Sequence, residues 1–151
     1  MKRFLMAVIL ALTGLGVAQN GYGFYSSALL GVITGYGVSY KTGNVRFNTG
    51  LSGVYFLPFG VEAGAAYLIP IGEQTKELSP YAGVGAEASL LLLGNLDANL
   101  YTYVALGADI NTGASISGPF GIEGLKPSAE VRIGYHSANG FLLGIAVTGY
   151  F

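Results

Sequence analysis

Residues 127–136 read PSAEVRIGYH. Taken in steps of two, they part into unlike sets. Ala129, Val131, Ile133 and Tyr135 fall on one side; Ser128, Glu130, Arg132, Gly134 and His136 fall on the other. An extended chain points successive side chains to opposite faces. The stretch therefore reads as a β-strand with one apolar face and one charged face. Which face is inside is decided by the rest of the chain.

The same alternation recurs on both sides of this strand. It predicts about eight strands, over 24–40, 45–57, 61–71, 78–92, 98–110, 114–122, 127–136 and 141–151. Turn signals separate them: Thr42-Gly43-Asn44, Pro58-Phe59-Gly60, the polar run from Gly72 to Glu77, Gly94-Asn95, Asn111-Thr112-Gly113, and Ser137 to Gly140. The sixth segment contains Pro119, which a central strand tolerates poorly. Were it a loop, a split of the long first segment near Thr34-Gly35 would restore the count. The reading preferred on sequence keeps the sixth strand.

Sorted by face, the strands agree. Val45, Phe47, Leu51 and Tyr55 oppose Arg46, Asn48, Gly50 and Ser52. Val61, Ala63, Ala65, Tyr67 and Ile69 oppose Glu62 and Gly64. Ala82, Val84, Ala86, Ala88 and Leu90 oppose Tyr81, Gly83, Gly85, Glu87 and Ser89. Leu100, Val104, Leu106 and Ile110 oppose Asn99, Tyr101, Tyr103 and Asp109. Every charge falls on the face that also holds glycine, serine and asparagine. A soluble barrel would carry its charges outside, and an apolar exterior facing water would exceed the patch size soluble monomers tolerate. A charge on the lipid side near the midplane costs on the order of 2–4 kcal/mol, so a membrane barrel keeps that face clear.

Composition supports this. Charged residues are 10% of 151, against about 25% in soluble domains. No apolar run beyond the N-terminal segment is long enough to cross a bilayer as a helix. The spanning structure left is a closed β-barrel, in which every backbone group is satisfied between strands. With 25 glycines among 19 tyrosines and phenylalanines, long helices are disfavoured.

The N-terminus reads as an export signal. Lys2 and Arg3 precede an apolar stretch from Phe4 to Leu12, and Gly16-Val17-Ala18 follows as a small-residue cleavage site. Residues 1–18 are thus expected to be removed, leaving 19–151 as one barrel domain. Loss of Lys2 and Arg3 takes 7 basic residues to 5 against 8 acidic, a net charge of −3. That excludes nucleic acid as an expected partner. There is no cysteine to staple the fold.

At this point the chain resembles the small eight-stranded outer-membrane β-barrels, the OmpA-like and OmpX-like group, over its whole mature length. The resemblance is sharpest in the last strand, FLLGIAVTGYF, where Leu143, Ile145, Val147 and Phe151 match the alternating, aromatic-ended signal that the barrel-assembly machinery reads in such proteins. Gly149 departs from it, since an apolar or aromatic residue is usual there. The resemblance implies a transmembrane antiparallel up-and-down barrel in the cell outer membrane, monomeric, with outer-membrane lipid as its surroundings and that machinery as its partner during insertion.

An eight-stranded barrel is just wide enough to be filled by side chains. The expected lumen offers Arg46, Glu62, Glu87, Asp109, Glu130 and Arg132. Buried charges need partners, so the leading reading is an ion-pair network that plugs the barrel, with Tyr81, Tyr101, Tyr103 and Tyr150 covering lumenal glycines. The role that follows is structural or permeability-related, without an enzymatic step. A narrow porin-like channel for small solutes is the alternative. A lipid-modifying enzyme would have to use His136 with Ser137 and Glu130 or Glu123, but adjacent residues of a strand point apart and no triad spacing is present. With no cysteine and one histidine, neither a zinc site nor a cofactor is expected. The predicted surface turns, if the N-terminus starts in the periplasm, are Thr42-Gly43, Gly72 to Glu77, Asn111 to Gly113 and Ser137 to Gly140. All are short, so display of a binding platform is not expected.

Overall fold

The computed structural model describes residues 21–29, 33–54, 57–75, 77–91, 97–110 and 126–151. They form eight strands: β1 Gly21–Leu29, β2 Ile33–Thr42, β3 Val45–Val54, β4 Leu57–Pro70, β5 Leu78–Leu91, β6 Asp97–Ile110, β7 Lys126–His136 and β8 Gly140–Tyr150. Each strand pairs antiparallel with its neighbours in chain order, and β8 returns to β1 to close the barrel. Closure removes both sheet edges, so no row of backbone donors and acceptors is left unpaired.

The first segment, expected as one strand, is two. β1 folds back on β2 in a register that runs from Gly21 opposite Lys41 to Leu29 opposite Ile33. The alternation does not reveal the break, because odd-numbered residues face inward on both strands. Length does reveal it: at about 3.3 Å per residue a strand over 24–40 would far exceed the nine to eleven residues that a tilted membrane strand needs. The sixth expected segment, 114–122, lies outside the described residues. β6 pairs directly with β7, so the barrel closes on eight strands without a strand between them. The signal segment and Tyr55 also lie outside the described residues.

A second correction concerns Pro58-Phe59-Gly60. These residues belong to β4 and not to a turn. The β3–β4 register shifts between Ser52 and Gly53, which brings Gly53 opposite Pro58. A bulge beside a strand end is where a sheet accepts proline.

The split of the first segment changes which connections share an end. Adding a strand before Thr42 moves the next connections to the opposite side. The strand ends at Leu29 and Ile33, Val54 and Leu57, Leu91 and Asp97, and His136 and Gly140 lie together. Thr42-Gly43, the Gly72 to Glu77 run and the Ile110 end of β6 lie instead with Gly21 and Tyr150. Of the expected surface turns, only Ser137 to Gly140 keeps its side. Glycine at positive φ makes two of the tight turns, Gly43 at 62° and Gly140 at 76°.

The faces sort as the alternation requires. Phe24, Val61, Val84, Leu106, Ile133 and Ile145 are exposed around the outside. Lys41, Arg46, Glu62, Glu87, Asp109, Glu130 and Arg132 all point inward, and no strand carries a charge on its outer face. Val45, expected outside, is buried at the start of β3. Inside, large side chains lie across glycines. A Cβ on Gly85 would stand 2.6 Å from the Tyr103 ring, and one on Gly64 would stand 2.4 Å from Glu87 Cγ and 2.9 Å from the Ala86 carbonyl.

Gly64→Ala should therefore overpack the lumen, costing about 1–3 kcal/mol. It should lower the temperature at which the purified barrel unfolds in detergent. Ala65→Gly, on the outer face of the same strand, should shift it less; equal effects would remove the overpacking account.

Candidate functional site

Charged and phenolic side chains project into the lumen and bond to one another across it. Its centre is Glu130 on β7. Arg46, on β3 across the barrel, approaches it fork to fork: Nη1 donates to Oε2 at 2.9 Å and Nη2 to Oε1 at 2.6 Å. Arg132, two residues along β7, donates from Nε to Glu130 Oε1 at 2.6 Å. The Tyr81 hydroxyl adds a fourth donor at 2.8 Å and also meets Ser128 Oγ at 2.9 Å. Arg132 then extends to β5, donating from Nη1 to Glu87 Oε1 at 2.6 Å. Its guanidinium lies 4.4 Å from the centre of the Tyr103 ring, a cation–π contact that is stronger when desolvated.

Two of these links cross the full width of the barrel. β3 and β7 are four places apart in a ring of eight, and so are β2 and β6. Arg46–Glu130 bridges the first pair of strands, and an ion pair between Lys41 and Asp109 bridges the second. Lys41 also sits 5.8 Å from the ring centres of both Tyr81 and Tyr150. A guanidinium at one wall and a carboxylate at the other span an eight-stranded interior, which is about as wide as packed side chains require.

The six charged residues read from sequence thus separate into groups. Arg46, Glu87, Glu130 and Arg132 are brought together. Asp109 goes to Lys41, which the sequence reading had not singled out. Glu62 stands apart from both: its carboxylate takes a hydrogen bond from the Tyr25 hydroxyl on β1 and rests over the backbone of Gly35. Lys41 and Tyr25 lie on the two strands read as one segment, whose faces had not been sorted. Following its alternation would have turned both inward.

Burial of the central cluster is nearly complete. Arg46 and Arg132 are each 1% exposed, and Glu130 is 4% exposed. Three of the tyrosines expected to cover glycines do so: Tyr103 over Gly85, Tyr81 over Gly107 and Tyr150 over Gly21. Tyr101 stacks on Tyr103 with ring centres 5.2 Å apart.

His136 and Ser137 take up structural positions at the end of β7. His136 Nδ1 accepts from the Ala138 amide at 3.2 Å and lies 3.2 Å from Asn139 Nδ2. Ser137 Oγ accepts from the Leu100 amide at 3.0 Å. In the last strand, Leu143, Ile145, Val147 and Phe151 all project outward. Phe24, opposite Gly149 in register, packs edge-on against Phe151 at 6.0 Å between ring centres, so aromatic surface flanks the glycine.

This architecture defines the class: a closed, eight-stranded, antiparallel up-and-down barrel with an apolar outside and an ion-paired inside, the fold of the OmpA-like outer-membrane barrels. Among solved structures, the chain is similar to the N-terminal β-barrel domain of Pseudomonas aeruginosa OprF, with a TM-score of 0.53, 14% identity, and coverage of 87% of this chain and 96% of that one. No protein-family model and no curated protein matches the sequence.

Removing Glu130 leaves Arg46 without its carboxylate and Arg132 with only Glu87. Glu130→Ala should cost on the order of 3–5 kcal/mol, the range for breaking a buried ion pair from one side. Glu130→Gln, which keeps acceptor and shape, should cost less. Urea unfolding of the detergent-solubilised barrel, followed by tyrosine fluorescence, measures both.

Proposed function

We propose that this protein is an integral outer-membrane barrel whose lumen is closed by its own ion pairs, and that its role is structural: a sealed wall element of the envelope. One observation carries the reading. The only faces that charges occupy in the eight strands are lumenal, and the central guanidiniums are cut off from solvent. An exterior that is apolar all round suits hydrocarbon and not water. An interior that is charged and packed suits neither a soluble core nor an open channel.

The strand lengths agree. The strands run from 9 to 14 residues, and about nine to eleven are what a membrane strand tilted near 45° needs. Aromatic residues gather at both rims of the outer face. Tyr22 and Tyr40 lie at the end shared with Thr42, and Tyr135 and Phe141 at the other. Such girdles mark the two interfaces of membrane barrels. With the chain termini on the periplasmic side, the turn at Ser137 to Gly140 faces outward. We further infer that residues 1–18 direct export and are removed, that the barrel is a monomer in outer-membrane lipid, and that Leu143, Ile145, Val147 and Phe151 engage the barrel-assembly machinery during insertion. The role has no enzymatic step.

The narrow-channel reading is the competitor, and conductance separates the two. The sealed barrel should appear in the outer-membrane fraction and migrate differently on a gel before and after boiling. In planar bilayers it should give no steady conductance in salt, whereas Arg132→Ala, which unhooks Glu87, should. Steady current through the wild type would replace the seal with a channel. A soluble protein without the heat-dependent shift would overturn the membrane reading itself.

A further inference from the structure

Among the described residues, the outer wall carries a groove of about 600 Å³ over β1 to β4. Its depth follows from the register. Thr49 lies opposite Ala63, and Ala63 opposite Ala88, so three small residues stand abreast on the outer face. Phe47, Leu51 and Val61, all exposed, rise around them. A second depression of about 370 Å³ shares Thr49 and Ala63 and continues across Ala88. The two depressions meet at Thr49 and Ala63.

The larger depression has no charged residue in its lining and is framed by rings. Tyr22 and Tyr40 stack at 4.7 Å between centres on one flank, and Phe24 and Phe151 meet edge-on at 6.0 Å on another. The hydroxyl of Thr49 donates to the Glu62 carbonyl at 3.2 Å, so its polar group is satisfied by the protein. A ligand here would gain apolar contact and no hydrogen bond from the floor. The volume lies within the roughly 300–1,000 Å³ of pockets that hold small molecules, and a recess preformed by packed rings loses little freedom when it is filled.

We propose that this groove holds one acyl chain of a glycerophospholipid whose headgroup lies at the barrel end formed by Gly21, Thr42 and Tyr150. This rests on the membrane reading above. The groove is continuous with the apolar belt that such a reading sets in hydrocarbon, and Tyr22 and Tyr40 mark its interfacial end, where phenol groups sit at the headgroup level. A flexible hydrocarbon chain follows both depressions.

The test uses the full chain extracted in mild detergent, stripped of lipid and titrated with palmitoyl-oleoyl phosphatidylethanolamine under native mass spectrometry. Wild type should retain a single lipid after collisional removal of detergent. Ala63→Phe, which fills the floor, should lower retention at least about tenfold. Val131→Phe, which adds the same ring to the belt on β7, should leave it unchanged. Each variant is first checked for the heat-dependent gel shift; if Ala63→Phe lacks it, Ala63→Leu takes its place. Equal retention by all three proteins, or none by wild type, would overturn the proposal while leaving the barrel reading intact. Loss of the heat-dependent shift in wild type would strike the membrane reading instead.

Discussion

The Glu130 carboxylate holds the lumen together. It takes four hydrogen bonds, two from the Arg46 fork, one from Arg132 and one from Tyr81. These partners come from β3, β5 and β7, so one side chain ties opposite walls of the ring. A carboxylate this buried is tolerable only when its lone pairs are met by charged donors, because desolvation otherwise exceeds the attraction. The rest of the interior is arranged around that need. The Arg132 guanidinium sits over the Tyr103 ring, and glycines at 64, 85 and 107 leave room for the side chains that cross them.

The outer face obeys the complementary constraint. Every second residue of every strand is committed to it, and none of these is charged. This inverts the usual arrangement of a globular domain, where the largest apolar surface is hidden. The inversion leaves little apolar core: the buried cluster of Ala66, Leu68, Tyr81, Tyr101, Tyr103 and Ala105 lines one side of the lumen. Without a disulfide, the walls are joined by the closed backbone ladder and by buried ion pairs that reach across the bore. The groups that brace opposite walls are the same groups that project into the bore.

The small departures from regularity have local functions. The shift at Ser52 and Gly53 accommodates Pro58. The row Thr49, Ala63 and Ala88 opens a recess in the wall, where larger β-branched residues would have made it smooth. The seam between β1 and β8 runs over seven register pairs, from Gly23 to Leu29, whereas β5 and β6 pair over fourteen. Closure of the ring thus depends on its shortest ladder, and Phe24 with Phe151 reinforces that seam from outside.

The sequence by itself determined the class of fold and the contents of the lumen. Alternation is local: the backbone throws side chains left and right with a period of two, so 127–136 alone shows which residues share a face, and the absence of charge from one face shows which is outside. Arg46, Glu62, Glu87, Asp109, Glu130 and Arg132 were legible as inward for that reason. Their partners were not. Whether Arg46 meets Glu130 or Glu62, and whether Asp109 meets Lys41, depends on register and on which strands lie opposite in the closed ring, and neither is encoded in any one strand. The position of the break in the first segment was hidden for a related reason, since β1 and β2 keep the same parity through their connection; the segment's length shows only that it must divide. Only the tertiary structure, by pairing Leu29 with Ile33 and β8 with β1, decided where it divides and which connections share an end.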